Sequence, residues 1–297
     1  QQLAEADRQE PDEDKTRSLE DKVASLKKEM SRLKKVEARL LKAPGQQISL
    51  TDPDARSMKS RGAGVVGYNV QTAVDTKHHM IVAHEVTNTG SDRRQLANMA
   101  KQAKAVLATK SLAAVADRGY YRSEELRDCD EANIETYLPK PKTSPNRAKG
   151  QFDRDAFHYI AQDDEYECPA GQRLVYHTTI QEGGKSVSRY WTNKCRMCNI
   201  KAQCTSGAYR KMTRWEHESV LEKAQARLDR SPDMMRIRRA TVEHPFGTLK
   251  AWMGSTHFLT RTLDRVSTEM SLHVLAYNMK RMMNIFGTKS LIEAMGA

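Results

Sequence analysis

The sequence predicts a mixed α/β fold, and two observations carry that expectation. The first is a switch of apolar period: between residues 19 and 41 apolar side chains recur in steps of four and three, whereas residues 68–74 and 80–86 are dense in β-branched and aromatic side chains. The second is an order of elements: hairpin, helix, strand ending in Asp, helix, strand. In open α/β sheets that order delivers a carboxylate to the C-terminal end of a strand.

Taken in order, residues 1–16 are polar and acidic and predict a disordered lead-in. Leu19, Val23, Leu26, Met30, Leu33 and Leu40 then form a heptad seam, which Glu37 interrupts. Such a seam pairs with another helix, of this molecule or of a second copy, or the helix lies as an arm on its own domain; the pattern leaves both open. Ala43-Pro44-Gly45 ends it. The strands at 68–74 and 80–86 flank Asp75-Thr76-Lys77-His78-His79, so Asp75 is expected as a turn residue. A helix follows over 92–107, with Leu96, Met99, Ala103, Val106 and Leu107 on its apolar side. A short apolar strand over 111–116 ends at Asp117, Ser123 opens another helix, and 133–138 predicts a further strand. Residues 139–150 form a basic, Pro-containing linker. Residues 152–215 change to a Tyr-, Gly-, Thr- and Cys-rich composition that predicts an inserted β module. Helical composition resumes near Trp215, and Leu263, Val266, Met270, Val274 and Tyr277 mark an amphipathic C-terminal helix.

The formal net charge is +11, which favours a polyanionic partner because Lys and Arg displace the counterions around nucleic-acid phosphates. The first 20 residues oppose the trend, with seven acidic against three basic. No apolar run is long enough for a membrane span, and none resembles a signal peptide. The expectation is a soluble, cytoplasmic protein. Five cysteines in such a chain do not suggest a disulfide scaffold.

Three motifs carry the chemistry. Gly67-Tyr68-Asn69-Val70-Gln71-Thr72-Ala73-Val74-Asp75 resembles the second-strand region of insertion-sequence transposases of the DDE class. Ala116-Asp117-Arg118-Gly119-Tyr120-Tyr121 resembles the strand-end motif holding their second catalytic Asp. Residues 239–250 resemble the helix carrying their catalytic Glu, with Arg239, Glu243 and Lys250 at the family's spacing and Arg236 where the family has Tyr. The resemblance spans roughly residues 51–286. It implies an RNase H-like mixed sheet with flanking helices, Asp117 and Glu243 as catalytic carboxylates binding Mg²⁺ or Mn²⁺, and Arg239 and Lys250 on DNA phosphates. It also implies DNA as partner, both transposon ends and target, a homodimer on DNA, and a bacterial, nucleoid-associated location.

Independent chemistry agrees with those residue types. Two Mg²⁺ ions bracketing a scissile phosphate take hard oxygen ligands and keep several waters, so a few carboxylates suffice. On a continuous helix Arg239, Glu243 and Lys250 share one face; a surface ion pair between Arg239 and Glu243 is the plainer alternative. Pro245 is expected to kink that helix and move Lys250 off the shared face. The family's first catalytic Asp sits on a strand before the hairpin. Residues 50–56 contain Pro53 and do not form an apolar strand, so that Asp is expected before Gln1 and absent from this chain.

Cys168, Cys195, Cys198 and Cys204 supply four thiolates, enough for tetrahedral Zn²⁺, yet only one CxxC pair is present. Structural zinc and reduced, buried cysteines both remain open. Cys129 is expected in the core. Lys185, Arg189 and Lys194 offer the module a DNA-contacting surface.

The expected organisation is an acidic lead-in and heptad helix (1–45), a first part of the core (46–150), a Cys-rich insertion (151–215) and the C-terminal core helices (216–297). The expected function is strand cleavage and transfer at element ends. A related DNA nuclease, and a truncated DNA-binding or regulatory remnant that does not cut, stand as alternatives.

Overall fold

A computed structural model describes residues 13–60, 62–142 and 144–296, so most of the expected acidic lead-in lies outside the described residues. The chain forms two compact units, each gathered from separate stretches. One takes the described residues up to Val70, then Val86–Gly90 and His257–Met270; the other takes Gln71–Glu85, Ser91–Thr256 and the described residues from Ser271 on.

The first unit begins with α1 (Glu13–Lys42), which stops where Pro44 cannot continue it and Gly45 turns at φ +68°. Leu19, Val23, Leu26, Met30 and Leu33 are all exposed, so the seam is uncovered among the described residues. β1 (Arg56–Ser60) and β2 (Ala63–Gly67) pair antiparallel from Arg56↔Gly67 to Ser60↔Ala63. Ahead of β1, residues 52–55 form a turn, as Pro53 requires, and Asp52 is buried. It accepts from Tyr68 Oη at 2.8 Å and from the Thr262 backbone N–H at 3.3 Å. Burial alone would raise its pKa, but these bonds outweigh burial and hold it below the ordinary carboxylate range. Asp54 accepts from Leu263 N–H at 2.9 Å, at the first turn of the C-terminal helix.

β3 (Asn69–Val74) and β4 (Ile81–Thr87) form a two-stranded sheet whose turn is closed by Asp75. Its Oδ2 accepts from His78 N–H at 2.6 Å, the turn role expected of it. In the second unit, α2 (Leu96–Val106) follows a 3₁₀ turn at Asp92–Arg94, splitting the expected 92–107 helix in two. β5 (Leu112–Val115), α3 (Ser123–Glu131) and β6 (Ile134–Tyr137) make a strand–helix–strand crossover, the strands parallel from Leu112↔Ile134 to Val115↔Tyr137. Leu126, Cys129, Ile134 and Leu138 pack beneath it with Leu96, Ala100, Trp215 and Leu221. Cys129 is fully buried, and burial pushes its thiol up to about 12, which suits a core role.

After the short α4 (Pro145–Ala148), five strands build a separate sheet in the order β11-β10-β9-β8-β7. These are β7 (His158–Ile160), β8 (Glu165–Glu167), β9 (Arg173–Glu182), β10 (Lys185–Trp191) and β11 (Met212–Trp215). Phe157, Tyr166, Leu174, Tyr190 and Met212 form its small core. α5 (Glu218–Arg230) and α6 (Met234–Gly247) follow, then a π-helical turn at Thr248–Trp252. The last helices are α7 (Leu263–Phe286) and α8 (Thr288–Met295). Val266, Met270, Val274 and Tyr277 of α7 are buried, the stripe its periodicity predicts. Asn278 bonds Ile81 twice, accepting from its N–H at 3.0 Å and donating to its C=O at 2.9 Å, as a neighbouring strand would. The described strands thus lie in four sheets, and no helix among the described residues is long and apolar enough to cross a membrane.

Candidate active site

β5 ends at Val115, and the ladder runs one residue further because Ala116 N–H donates to Tyr137 C=O at 3.1 Å. Asp117 is therefore delivered from the end of a strand whose Leu112 and Ala114 pack, partly buried, against the core. Its backbone stays extended, and its side chain caps the 3₁₀ turn Arg118–Tyr120 by accepting from Gly119 N–H at 2.8 Å. The other carboxylate oxygen accepts from Arg238 Nη2 of α6 at 3.1 Å. Two donors on different elements thus fix the carboxylate, while nearly half of the side chain (45%) stays open to solvent.

A second carboxylate stands beside it. A Cβ placed on Gly119 would lie 2.9 Å from Asp117 Oδ1 and 3.9 Å from Asp92 Oδ2, so both acids reach within 4 Å of one point. Asp92 opens the 3₁₀ turn before α2, and its Oδ1 accepts from Gln71 Nε2 at 2.8 Å. Gln71 is buried, and its Oε1 accepts from Tyr120 Oη at 2.5 Å. Burial raises the Tyr120 pKa, and the charges of Asp92 and Asp117 raise it further, so the phenol stays protonated and keeps donating to Gln71. Gln71, Asp117, Tyr120, Arg238 and Thr241 line a hollow of about 220 Å³.

The residues expected on the Glu-bearing helix are placed elsewhere. Arg239, Glu243 and Lys250 are all exposed. Glu243 lines a different hollow, with His244, Trp252, Tyr277, Lys280 and Arg281. Five residues beyond Arg238, it points about 140° around the helix from that side chain. The structure therefore brings together Asp117, Asp92 and Arg238, while Glu243 lines a different hollow from Asp117. Pro245 is buried within α6, which stays helical to Gly247. Beyond Gly247 the winding changes: Met253 N–H reaches back five residues to Thr248 C=O at 3.0 Å. The Lys250 ammonium sits 5.9 Å from the Phe246 ring centroid.

Sequence patterning passes over Asp92 and Arg238. Arg239 fits the family spacing and so hides its neighbour. The available signal is the buried stripe Thr241, Pro245 and Leu249, on whose face Arg238 lies. Nothing local marks Asp92, whose proximity to Asp117 is tertiary.

Among the described residues no three His, Cys, Asp or Glu side chains are grouped closely enough to hold a metal ion. Asp117 and Asp92 are donors of the kind Mg²⁺ takes, with water completing its shell. In number they fall short of a carboxylate triad.

Cys168, Cys195, Cys198 and Cys204 all line one cavity in the inserted module. Burial pushes the Cys204 thiol up, and Arg210 opposes it. Lys185 pairs with Glu124 at 3.3 Å and lies 4.8 Å from the Trp215 ring centroid.

The family model described as "Transposase DDE domain" matches residues 35–279. No curated protein and no solved structure matches the chain.

Proposed function

The chain belongs to the transposase DDE domain family, and on that premise we propose that it cleaves DNA strands at insertion-element ends and transfers them to a target. The observation that carries this reading is the setting of Asp117: a strand-end carboxylate held by Gly119 N–H and Arg238, half open to solvent, with Asp92 beside it. When bound at these carboxylates, Mg²⁺ or Mn²⁺ would supply an activated water or 3′-hydroxyl and stabilise the leaving oxygen. Asp117 is the first ligand in this reading. Glu243 enters through the family resemblance alone.

The chain's own groups have separable roles. Gly119 N–H and Arg238 orient Asp117 before DNA arrives, which spares that reorganisation during reaction. Arg239 and Lys250, exposed on α6 and the turn after it, are proposed to hold DNA phosphates. The wider reading treats β3–β4 and β5–β6 as parts of an RNase H-like core, residues 151–215 as an insertion and the two-ended reaction as the work of a homodimer in which α1 offers a pairing seam.

One observation favours a second reading, a DNA-binding protein that does not cut: Glu243 and Asp117 line different hollows. Cleavage of element-end DNA in Mg²⁺ or Mn²⁺ separates the two. The first reading expects cutting by the unmodified protein and its loss in Asp117→Asn and in Glu243→Gln. Retained cutting in Asp117→Asn overturns the site; binding without cutting by the unmodified protein establishes the second reading.

A further inference from the structure

The inserted module is a small β domain with a thin interior. Five buried side chains form its core, and Cys168 and Cys204 pack against that cluster from one end. A domain of this size buries too little apolar surface to be robust without a covalent or metal staple.

At that end of the sheet three turns converge. Cys168 begins a tight turn, Cys168-Pro169-Ala170-Gly171, in which Gly171 N–H donates to Cys168 C=O at 2.8 Å and Gly171 takes φ +68°. Only glycine adopts that backbone without strain, and here it returns the chain so that Cys168 N–H donates to Gln172 C=O at 3.0 Å. Cys195 and Cys198 bracket a second turn, closed by Cys198 N–H on Cys195 C=O at 3.4 Å. Cys204 ends a third, its N–H donating to Lys201 C=O at 2.9 Å. All four thiols line one cavity of about 20 Å³, room for a single water-sized or ion-sized guest. All four are free and half-buried.

The cavity also contains a counter-charge. Arg210 lines it and donates to Cys204 C=O at 3.4 Å, while its Nε is buried with no hydrogen-bond partner among the described residues. The guanidinium is partly buried and stacks 5.3 Å from the Phe157 ring centroid, which leaves its charge at the cavity wall. Beside a divalent ion with four thiolates, whose net charge is about −2, it is favourable.

We propose that Cys168, Cys195, Cys198 and Cys204 bind one Zn²⁺ that staples the inserted sheet, with Arg210 neutralising part of the thiolate charge. The four side chains do not stand in a coordinating group among the described residues; all four line the same cavity, and binding would require them to close on the ion. Zinc is the ion of choice because four soft sulfur ligands and a closed tetrahedral shell suit it and do not suit Mg²⁺. Each thiol releases its proton to solvent on binding, and no oxidant is needed. The assignment is independent of the transposase reading.

The test uses the full chain, purified without chelator and without added metal. Metal analysis is expected to give about one zinc per chain, released when a mercurial reagent titrates the thiols. Exchange with Co²⁺ is expected to give sulfur-to-cobalt charge transfer and the visible bands of a tetrahedral site. Cys198→Ser should lose the zinc and Cys129→Ala should keep it. If Cys198→Ser fails to fold, the Co²⁺ spectrum of the unmodified chain decides. A zinc-free chain that stays colourless with Co²⁺, a disulfide among the four, or full zinc in soluble Cys198→Ser would each overturn the proposal.

Discussion

Replacing Gly119 with Ala strikes at the carboxylate on which the proposed chemistry depends. Gly119 needs no unusual φ, so the substitution is tolerable to the backbone, and its effect comes from the added methyl group alone. That methyl would sit 2.9 Å from Asp117 Oδ1, so relief requires a retreat of about 0.5 Å to reach ordinary contact. The carboxylate cannot retreat freely, because Oδ1 accepts from Gly119 N–H at 2.8 Å and Oδ2 from Arg238 at 3.1 Å. Losing the first bond costs about 1 kcal/mol, a fall in Tm of roughly 2–4 °C for a chain of this length. Reacting groups are far less forgiving: a misplacement near 1 Å costs about 100-fold in rate, so half that shift predicts a loss of about tenfold. The assay is Mg²⁺-dependent cleavage of element-end DNA, run beside thermal melting and Asp117→Asn. A Gly119→Ala protein that melts slightly early yet cuts within about twofold of the unmodified rate would refute the reasoning, since Asp117 would then have moved without consequence.

Other perturbations follow from the same geometry. Gln71→Leu strips partners from the Tyr120 hydroxyl and from one Asp92 oxygen, and should lower stability by about 2–3 kcal/mol in urea denaturation; a change below about 0.5 kcal/mol would mean that the chain of bonds is not formed. Asn278→Leu removes both bonds to Ile81, with an expected cost of about 2 kcal/mol and faster amide exchange at Ile81. Glu124 gives a pH signature. Burial would raise its pKa, but Arg122, a backbone N–H and Lys185 outweigh burial and hold it at about 2 against an ordinary value of 4.5. A depressed acid stabilises the fold above its unfolded pKa, so this contribution, about 1–2 kcal/mol after solvent screening, is complete above pH 4.5 and lost as pH falls towards 2. Urea midpoints measured across that window should fall less steeply in Glu124→Gln than in the unmodified chain; parallel curves would show that the pairing does not matter.

The elements legible in the sequence were those whose burial leaves a period. α7 announces its stripe through Val266, Met270, Val274 and Tyr277, and β5 its apolar run before Asp117. The β1–β2 hairpin left no such trace, because Ala63–Gly67 is almost wholly exposed and rich in glycine, so no alternation of burial is written into it. The candidate site divides in the same way. Asp117 was readable because a strand end positions it. Asp92 and Arg238 reach it from residues 25 and 121 positions away, and only packing reveals that. Glu243 shows the converse: spacing along α6 selects it, yet it lines a different hollow from Asp117.

The first unit has a consequence in time. Asp52 and Asp54 satisfy the backbone at Thr262 and Leu263, roughly 210 positions later in the chain. During synthesis the ribosome releases α1, β1 and β2 long before those partners exist, so Asp52 and Asp54 wait in water while the β5–α3–β6 crossover and the cysteine module emerge. The unit is closed by its last-made stretch, and a ribosome stalled before residue 257 would display Asp52 without its Thr262 donor and Asp54 without the helix end it caps. Pulsed proteolysis of such stalled chains should cut within residues 50–60, and completion through Met270 should protect them.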